Sequence, residues 1–285
     1  MKPLHLKGYM QLVLSGLIFG FNGVFQRWID MPAPVLLAFR FLFGAFALYI
    51  YFLLTKEKIS LSGFKDKNVL AVAIFNTLTA VLFFYALSMT TIANAEILLY
   101  TAPVFLVVLS PAIFHEKLEK MTIINLLIAF LGVILIFSNT KIALSNYTLK
   151  GIMLGLSAGF VFSLTFIFGK LARTEFSGMK LNFYQVLISA LILLPTIFFV
   201  SYHMTVDKFV LLIIMGVIMT TISMSLFLGG LKSVKAQHAG IISYFEPLSA
   251  VIYAALLFGE IPTFSTLIGG ALIIYAGYSV IKKEE

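Results

Sequence analysis

Apolar residues in this chain do not alternate with polar ones; they continue in long runs. Ten such runs stand at 8–27, 34–54, 69–89, 94–114, 122–138, 151–170, 181–201, 209–231, 239–258 and 264–281. A helix rises about 1.5 Å per residue and must cross about 30 Å of hydrocarbon, so roughly 20 apolar residues make one span. The pattern predicts an all-α integral membrane protein with ten transmembrane helices. The connections are short. The longest is TKEKISLSGFKDKN, residues 55–68, so no separate soluble domain fits between the helices. The first run follows Lys2 and Lys7 and resembles a secretory signal. It lasts roughly 20 residues and lacks a small-residue cleavage site, so it reads as a first span.

Composition narrows the class further. The chain is 61% hydrophobic and 11% charged, with a mean hydropathy of +1.05, against about 25% charged residues in soluble domains. Disorder and collagen-like repeats are excluded by the same figures. There are no cysteines, which removes disulfides and thiolate metal sites. The four histidines, His5, His115, His203 and His238, lack metal-ligand spacing. Neither a metal nor another cofactor is expected.

The net charge of +8 invites a nucleic-acid reading until the charges are placed. With the N-terminus inside, Lys2, Lys7, Lys56, Lys58, Lys65, Lys67, Lys117, Lys120, Lys170, Arg173, Lys180, Lys232, Lys235, Lys282 and Lys283 fall on inner segments, 15 in all. Only Arg27, Lys141, Lys150 and Lys208 fall outside. Cytoplasmic loops collect Lys and Arg, so both termini are expected in the cytoplasm of a multi-pass plasma-membrane protein. The basic residues then serve topology beside an anionic leaflet, and the expected partner is the bilayer rather than nucleic acid.

The chain also repeats itself. Residues 74–116 align with 218–260 without a gap, with 12 identities in 43 positions. They include Tyr100 with Tyr244, Pro103 with Pro247 and Glu116 with Glu260. Apolar bias does not readily place Tyr, Pro and Glu in register. Shifts of 143 or 145 continue the match: Lys7-Gly8 meets Lys150-Gly151, Gly16 meets Gly159, and Arg40 meets Gln185. The chain therefore divides into five-helix repeats at 1–140 and 141–285. Because five is odd, the second repeat is inverted. Inverted repeats recur in secondary transporters, which bind substrate near the midplane and alternate its access.

An ionisable residue inside a span costs about 2.5–3.5 kcal/mol, which marks it as a functional candidate. Glu246 lies seven residues into the ninth run, about 10 Å deep, and Pro247 behind it removes a backbone donor. It reads as a cation- or proton-binding carboxyl, or as a glutamate that caps the freed backbone. Its repeat partner is Ala102, before Pro103. Arg40 reads as a clamp for a substrate carboxylate, or as a structural or snorkelling cation, with Glu96 as its expected partner. Arg40 and Glu246 are placed at different depths. Asn22, Asn76 and Gln185 are large enough to face a cavity, while interhelical hydrogen bonds are the plainer reading for them and for Thr77 and Ser223. Tyr100 and Tyr244 stand one turn before the paired prolines, Pro103 and Pro247. They either wall a pocket or pack. Gly16-x-x-x-Gly20 and Gly155-x-x-x-Gly159 suit close helix approach.

These residues resemble the EamA-type drug/metabolite transporter superfamily. GLIFGFNGVFQRW resembles the family's opening helix, and Arg40 in LLAFRFLFGAF resembles its second-helix arginine. FFYALSMTTIANAEILLYTAPVFLVVLSPAIFHEKL and FLGGLKSVKAQHAGIISYFEPLSAVIYAALLFGEIP resemble its two repeat signatures. The resemblance implies five-plus-five helices and transport of small metabolites: amino acids, nucleotide-linked compounds, quaternary amines and others. It also makes Glu116 and Glu260 signature positions, read here as capping or pairing with nearby lysines. His115 stands where the family has a small residue, so an altered loop is expected there.

The function expected is secondary-active transport, by alternating access, of a small amino acid or related zwitterion, with a proton as coupling ion. The alternative is a cationic metabolite or drug such as a choline-like quaternary amine. No nucleophile–base pair or metal site lies in a span, so an enzyme is not expected. Ten helices suffice to enclose a cavity in a monomer, the oligomeric state expected.

Overall fold

The computed structural model describes residues 3–90, 92–138 and 146–282. The boundary expected at 140–141 lies outside the described residues, as do Lys2, Lys141 and Lys283 from the charge count. The described chain is helical, with no strand. Ten helices are long and apolar enough to cross a membrane: α1 His5–Ile29, α2 Ala33–Thr55, α3 Lys67–Met89, α4 Asn94–Phe114, α5 Lys120–Phe137, α6 Leu149–Ala172, α7 Gly178–Phe199, α8 Val206–Leu231, α9 Ala236–Phe258 and α10 Phe264–Lys282. Each overlaps one of the ten apolar runs.

Local chemistry sets the ends. Asp66 accepts from the backbone N–H of Asn68 and Val69, each at 2.9 Å, and starts α3. Ser177 and Thr205 cap α7 and α8 in the same way. Gly259 closes α9 in the left-handed region at φ 67°, where glycine carries no Cβ penalty. At the corresponding place His115 closes α4 with φ 55°. The turn itself is shared, but the bonds from the Gly259 and Glu260 N–H groups to the Ala255 and Ala254 carbonyls have no counterpart at His115 and Glu116 among the described residues, so the expected difference is confined to the capping bonds. Histidine is among the residues that tolerate this conformation, and a left-handed residue ends the helix in both halves.

The packing obeys an approximate two-fold. α3 packs along α6 as α8 packs along α1. α2 pairs with α7, α4 with α9 and α5 with α10, each across from its own counterpart. Lipid offers no hydrophobic drive to associate, so close backbone approach must supply the contact. At the centre of the α5–α10 crossing, a Cβ on Gly132 would lie 2.6 Å from the Gly269 carbonyl, and Gly269 is as close to Gly132. Gly16 on α1 lies against Phe245 and Glu246 of α9, while Gly159 on α6 lies against Leu99 and Thr101 of α4. These contacts repeat at the 143–144 shift seen in the sequence.

Several helices are broken at mid-length. α4 divides into Ile92–Leu99 and Ala102–Phe114, and α9 into Ala236–Ser243 and Phe245–Phe258. The pieces correspond at a shift of 144. Pro103 and Pro247 fall just after the breaks, because each lacks the N–H that would continue the ladder. At the first break the Val104 N–H turns to Thr101, and Tyr244 Oη donates to the freed Tyr100 carbonyl at 2.9 Å. α1 breaks at Gly20–Phe21, between Pro3–Phe19 and Asn22–Ile29. Its counterpart α6 runs unbroken. α8 carries a π-helical stretch, Gly216–Ser223.

Candidate functional site

The breaks in α1, α4 and α9 and the π-helical stretch of α8 surround one polar network. Asn22 opens the second piece of α1, and its Nδ2 donates to Glu246 Oε1 at 3.3 Å. Arg40 Nη1 donates to Asn22 Oδ1 at 3.1 Å, and Arg40 Nε donates to Thr220 Oγ1 at 3.1 Å. The network continues into the core. Asn182 Nδ2 donates to the Thr220 carbonyl at 2.6 Å and to Ser225 Oγ at 3.0 Å. Gln185 Nε2 donates to Asn182 Oδ1 at 3.1 Å. A π-helical turn accommodates one extra residue and shifts the faces beyond it. Here it sets Thr220 toward Arg40 and lets Ser223 exchange hydrogen bonds with Ser15.

Asn22 therefore joins opposite charges through a neutral amide. Its oxygen accepts from the guanidinium and its nitrogen donates to the carboxylate. Arg40 keeps Nη2, and Glu246 keeps Oε2, outside these bonds. Two cavities flank the network and share Phe19, Asn22, Arg40 and Glu246 in their walls. The cavity toward the chain termini has about 140 Å³ of room and is mostly apolar, with Phe162, Phe166, Met224 and Phe227 beside Asn76 and Gln185. The cavity toward the opposite end has about 330 Å³ and adds Glu96, Tyr100, Phe83 and Phe84. One guanidinium and two carboxyl groups line that second space.

Glu96 does not pair with Arg40 as expected. Among the described residues it makes no ion pair and no side-chain hydrogen bond, and Arg40 is held instead by the neutral Asn22 and Thr220. Nor are Arg40 and Glu246 separated by depth. The long arginine side chain reaches Asn22, and the break at Gly20–Phe21 presents that amide to α9, so both charges border one cavity. Tyr100 is 7% exposed and lines the larger cavity. Tyr244 is fully buried and lines neither cavity; it packs against Tyr100 with ring centroids 6.3 Å apart. Pro247 lines the larger cavity, whereas Pro103 is buried in the α4–α9 contact. Thr77 bonds the Ala73 carbonyl of its own helix. Thr220 and Asn182 were not singled out in the sequence, although Thr220 is the repeat partner of Asn76.

The comparisons with known proteins agree with this architecture. The model of the EamA-like transporter family matches residues 6–138 and again 149–281. The chain belongs to the EamA-like transporter family. An uncharacterized transporter of Archaeoglobus fulgidus is similar, 31% identical across 97% of each chain. The pseudopaline exporter CntI of Pseudomonas aeruginosa is 25% identical over 86% of this chain and 85% of its own. A solved crystal structure shares the fold with a TM-score of 0.85 at 14% identity, covering 96% of this chain and 97% of that one. The protein is thus a multi-pass membrane transporter, and its family is one of transporters rather than enzymes.

Proposed function

We propose that this EamA-family member is a secondary transporter of a small zwitterion carrying an amino group and a carboxylate, such as an amino acid or a related metabolite. The observation that carries the reading is the single cavity bordered by Arg40, Glu246 and Glu96. A carboxylate would take the free side of the Arg40 guanidinium, a charge-assisted contact. An ammonium would lie between the two carboxyl groups. Asn22 holds the guanidinium and the Glu246 carboxylate apart, so that neither neutralises the other before substrate enters. Glu246 and Glu96 are carboxyl groups within membrane spans that border the same cavity, and they supply groups suited to a proton as coupling ion. Transport proceeds by alternating access in a monomer of the plasma membrane, with both termini cytoplasmic.

The test is uptake into proteoliposomes across a panel of amino acids and quaternary amines. Zwitterions should be transported saturably. Arg40→Gln and Glu246→Gln should each reduce transport by about tenfold or more, the scale of one buried charge-assisted bond. Inertness toward every zwitterion would sink this reading. A second reading has its own support: two carboxyls outnumber one guanidinium, and Phe83, Phe84 and Tyr100 offer ring faces to a cation. Transport of a quaternary amine that survives Arg40→Gln would select it.

A further inference from the structure

The two ends of the molecule carry a matched pair of ion pairs. Toward the termini, Lys170 at the end of α6 bonds Glu116 after α4 at 2.6 Å. Toward the opposite end, Arg27 on α1 bonds Glu260 after α9, also at 2.6 Å. The residues correspond by the repeat itself: Arg27 to Lys170 at a shift of 143, and Glu116 to Glu260 at a shift of 144. Even the flanking ring is repeated. Lys170 lies over Phe114 at 5.1 Å and Arg27 over Phe258 at 4.1 Å, and these rings also correspond at 144. Each pair ties one repeat to the other.

Their surroundings differ. Side-chain exposure is 17% and 11% for Lys170 and Glu116, against 58% and 57% for Arg27 and Glu260. Glu116 Oε1 also accepts from the Ala236 N–H at 3.1 Å, and Lys170 Nζ also donates to the Val234 carbonyl at 2.8 Å. The end of α4, the end of α6 and the start of α9 are thus clasped together. Lys235 bonds Glu119 at 3.2 Å across the same gap, whereas the repeat places Thr91 and Thr263 at the corresponding positions of the sequence. The larger cavity shares Gly20, Gly23, Phe137, Pro247 and Ala250 with a further pocket of about 280 Å³ whose wall reaches the exposed Arg27 and Glu260. The larger cavity therefore leads toward the exposed pair, whereas Lys170 and Glu116 line neither it nor the terminus-side cavity.

We infer that Lys170–Glu116 and Arg27–Glu260 are two-fold-related latches that close opposite ends of the transport path in turn. In this structure both pairs are made; the terminus-side one is the buried, fully clasped one, and its counterpart lies at the surface without the extra backbone bonds. In the reverse state Arg27–Glu260 becomes the buried clasp, reaching the segment around Thr90 that corresponds to Val234. Glu116 Oε2, buried without a hydrogen-bond partner, is desolvated only while its end is shut, so opening returns it to water and limits how firmly that state holds. The extra Lys235–Glu119 pair biases the resting molecule toward closure at the termini.

This inference rests on the alternating-access reading above. The chain has no cysteine, so single reporters are clean. Ser243→Cys reports the terminus-side cavity and Ala33→Cys the opposite one; each is labelled with an impermeant maleimide applied to the corresponding side of oriented vesicles. Glu116→Gln should raise labelling of the Ser243→Cys reporter by about tenfold and lower that of the Ala33→Cys reporter, because a buried pair has lost one partner. Glu260→Gln should shift both reporters the opposite way. Lys170→Gln stands in should Glu116→Gln fail to fold and should shift both reporters the same way as Glu116→Gln, whereas Lys170→Arg, which keeps the charge and the donors to Glu116 and to the Val234 carbonyl, should keep the wild-type pattern. Shifts in the same direction, or none, would overturn the latches. Reporters that respond to substrate but not to the latch variants would overturn the latches alone, whereas reporters insensitive to both would overturn alternating access with them.

Discussion

A single amide, Asn22, governs the electrostatics of the cavity. Without it, Arg40 and Glu246 would be free to meet as a direct ion pair, and the two groups proposed to hold substrate would neutralise each other. Asn22→Leu is therefore expected to lower transport by about tenfold or more while the protein remains folded. Parallel measurement of uptake and of thermal unfolding checks this, and wild-type uptake would count against the role. Part of this was visible in the sequence. Asn22, Arg40 and Glu246 stand out as polar residues inside apolar runs, which is a costly placement. The bond between them was not visible, because a helical run does not say which face it turns or where it breaks. Thr220 was missed for the same reason: only the π-helical stretch directs it to Arg40.

At the scale of elements, two devices carry the fold. Broken helices bring backbone ends and polar side chains to mid-membrane, and glycine contacts let helices cross closely. The α5–α10 crossing depends on the second. Gly132→Leu would force the backbones apart at the Gly269 carbonyl, and overpacking of this kind costs about 1–3 kcal/mol. A lower unfolding temperature in detergent, together with reduced yield, is the expected result. An unchanged unfolding temperature would show that the crossing has slack. The breaks in α4 and α9 were legible through Pro103 and Pro247, since proline cannot continue the ladder. The break in α1 was not. Gly20 marks it only weakly, because glycine is also frequent in unbroken membrane helices.

On the scale of the whole molecule, the two halves are alike in helix order and pairing and unlike in charge. Arg40, Asn22 and Thr220 on one side of the two-fold correspond to Gln185, Thr165 and Asn76 on the other, and Glu246 corresponds to Ala102. Arg40, Asn22 and Glu246 border both cavities, while Thr165, Gln185 and Asn76 line the apolar one alone and Glu96 the larger one alone. A near-symmetric scaffold thus holds two cavities of different chemistry, and on the proposed alternating-access reading a substrate would meet different neighbours in each. The orientation proposed for that path rests on the 15-to-4 excess of Lys and Arg at the terminus end. A reporter enzyme fused after the C-terminus and active only outside the cytoplasm should be silent. Its activity would reverse the proposed topology.

By itself the sequence determined the number of helices, their approximate ends, the five-plus-five repeat and the family resemblance. All of these follow from run length, register and motif, which are properties along the chain. Only the tertiary structure decided which charges meet. Arg40 binds Asn22 and Thr220 rather than Glu96, Tyr244 packs away from the cavities, and Lys170 and Arg27 find glutamates across the repeat boundary. Those outcomes depend on helix rotation, on the positions of the breaks and on packing between helices far apart in sequence, none of which periodicity encodes.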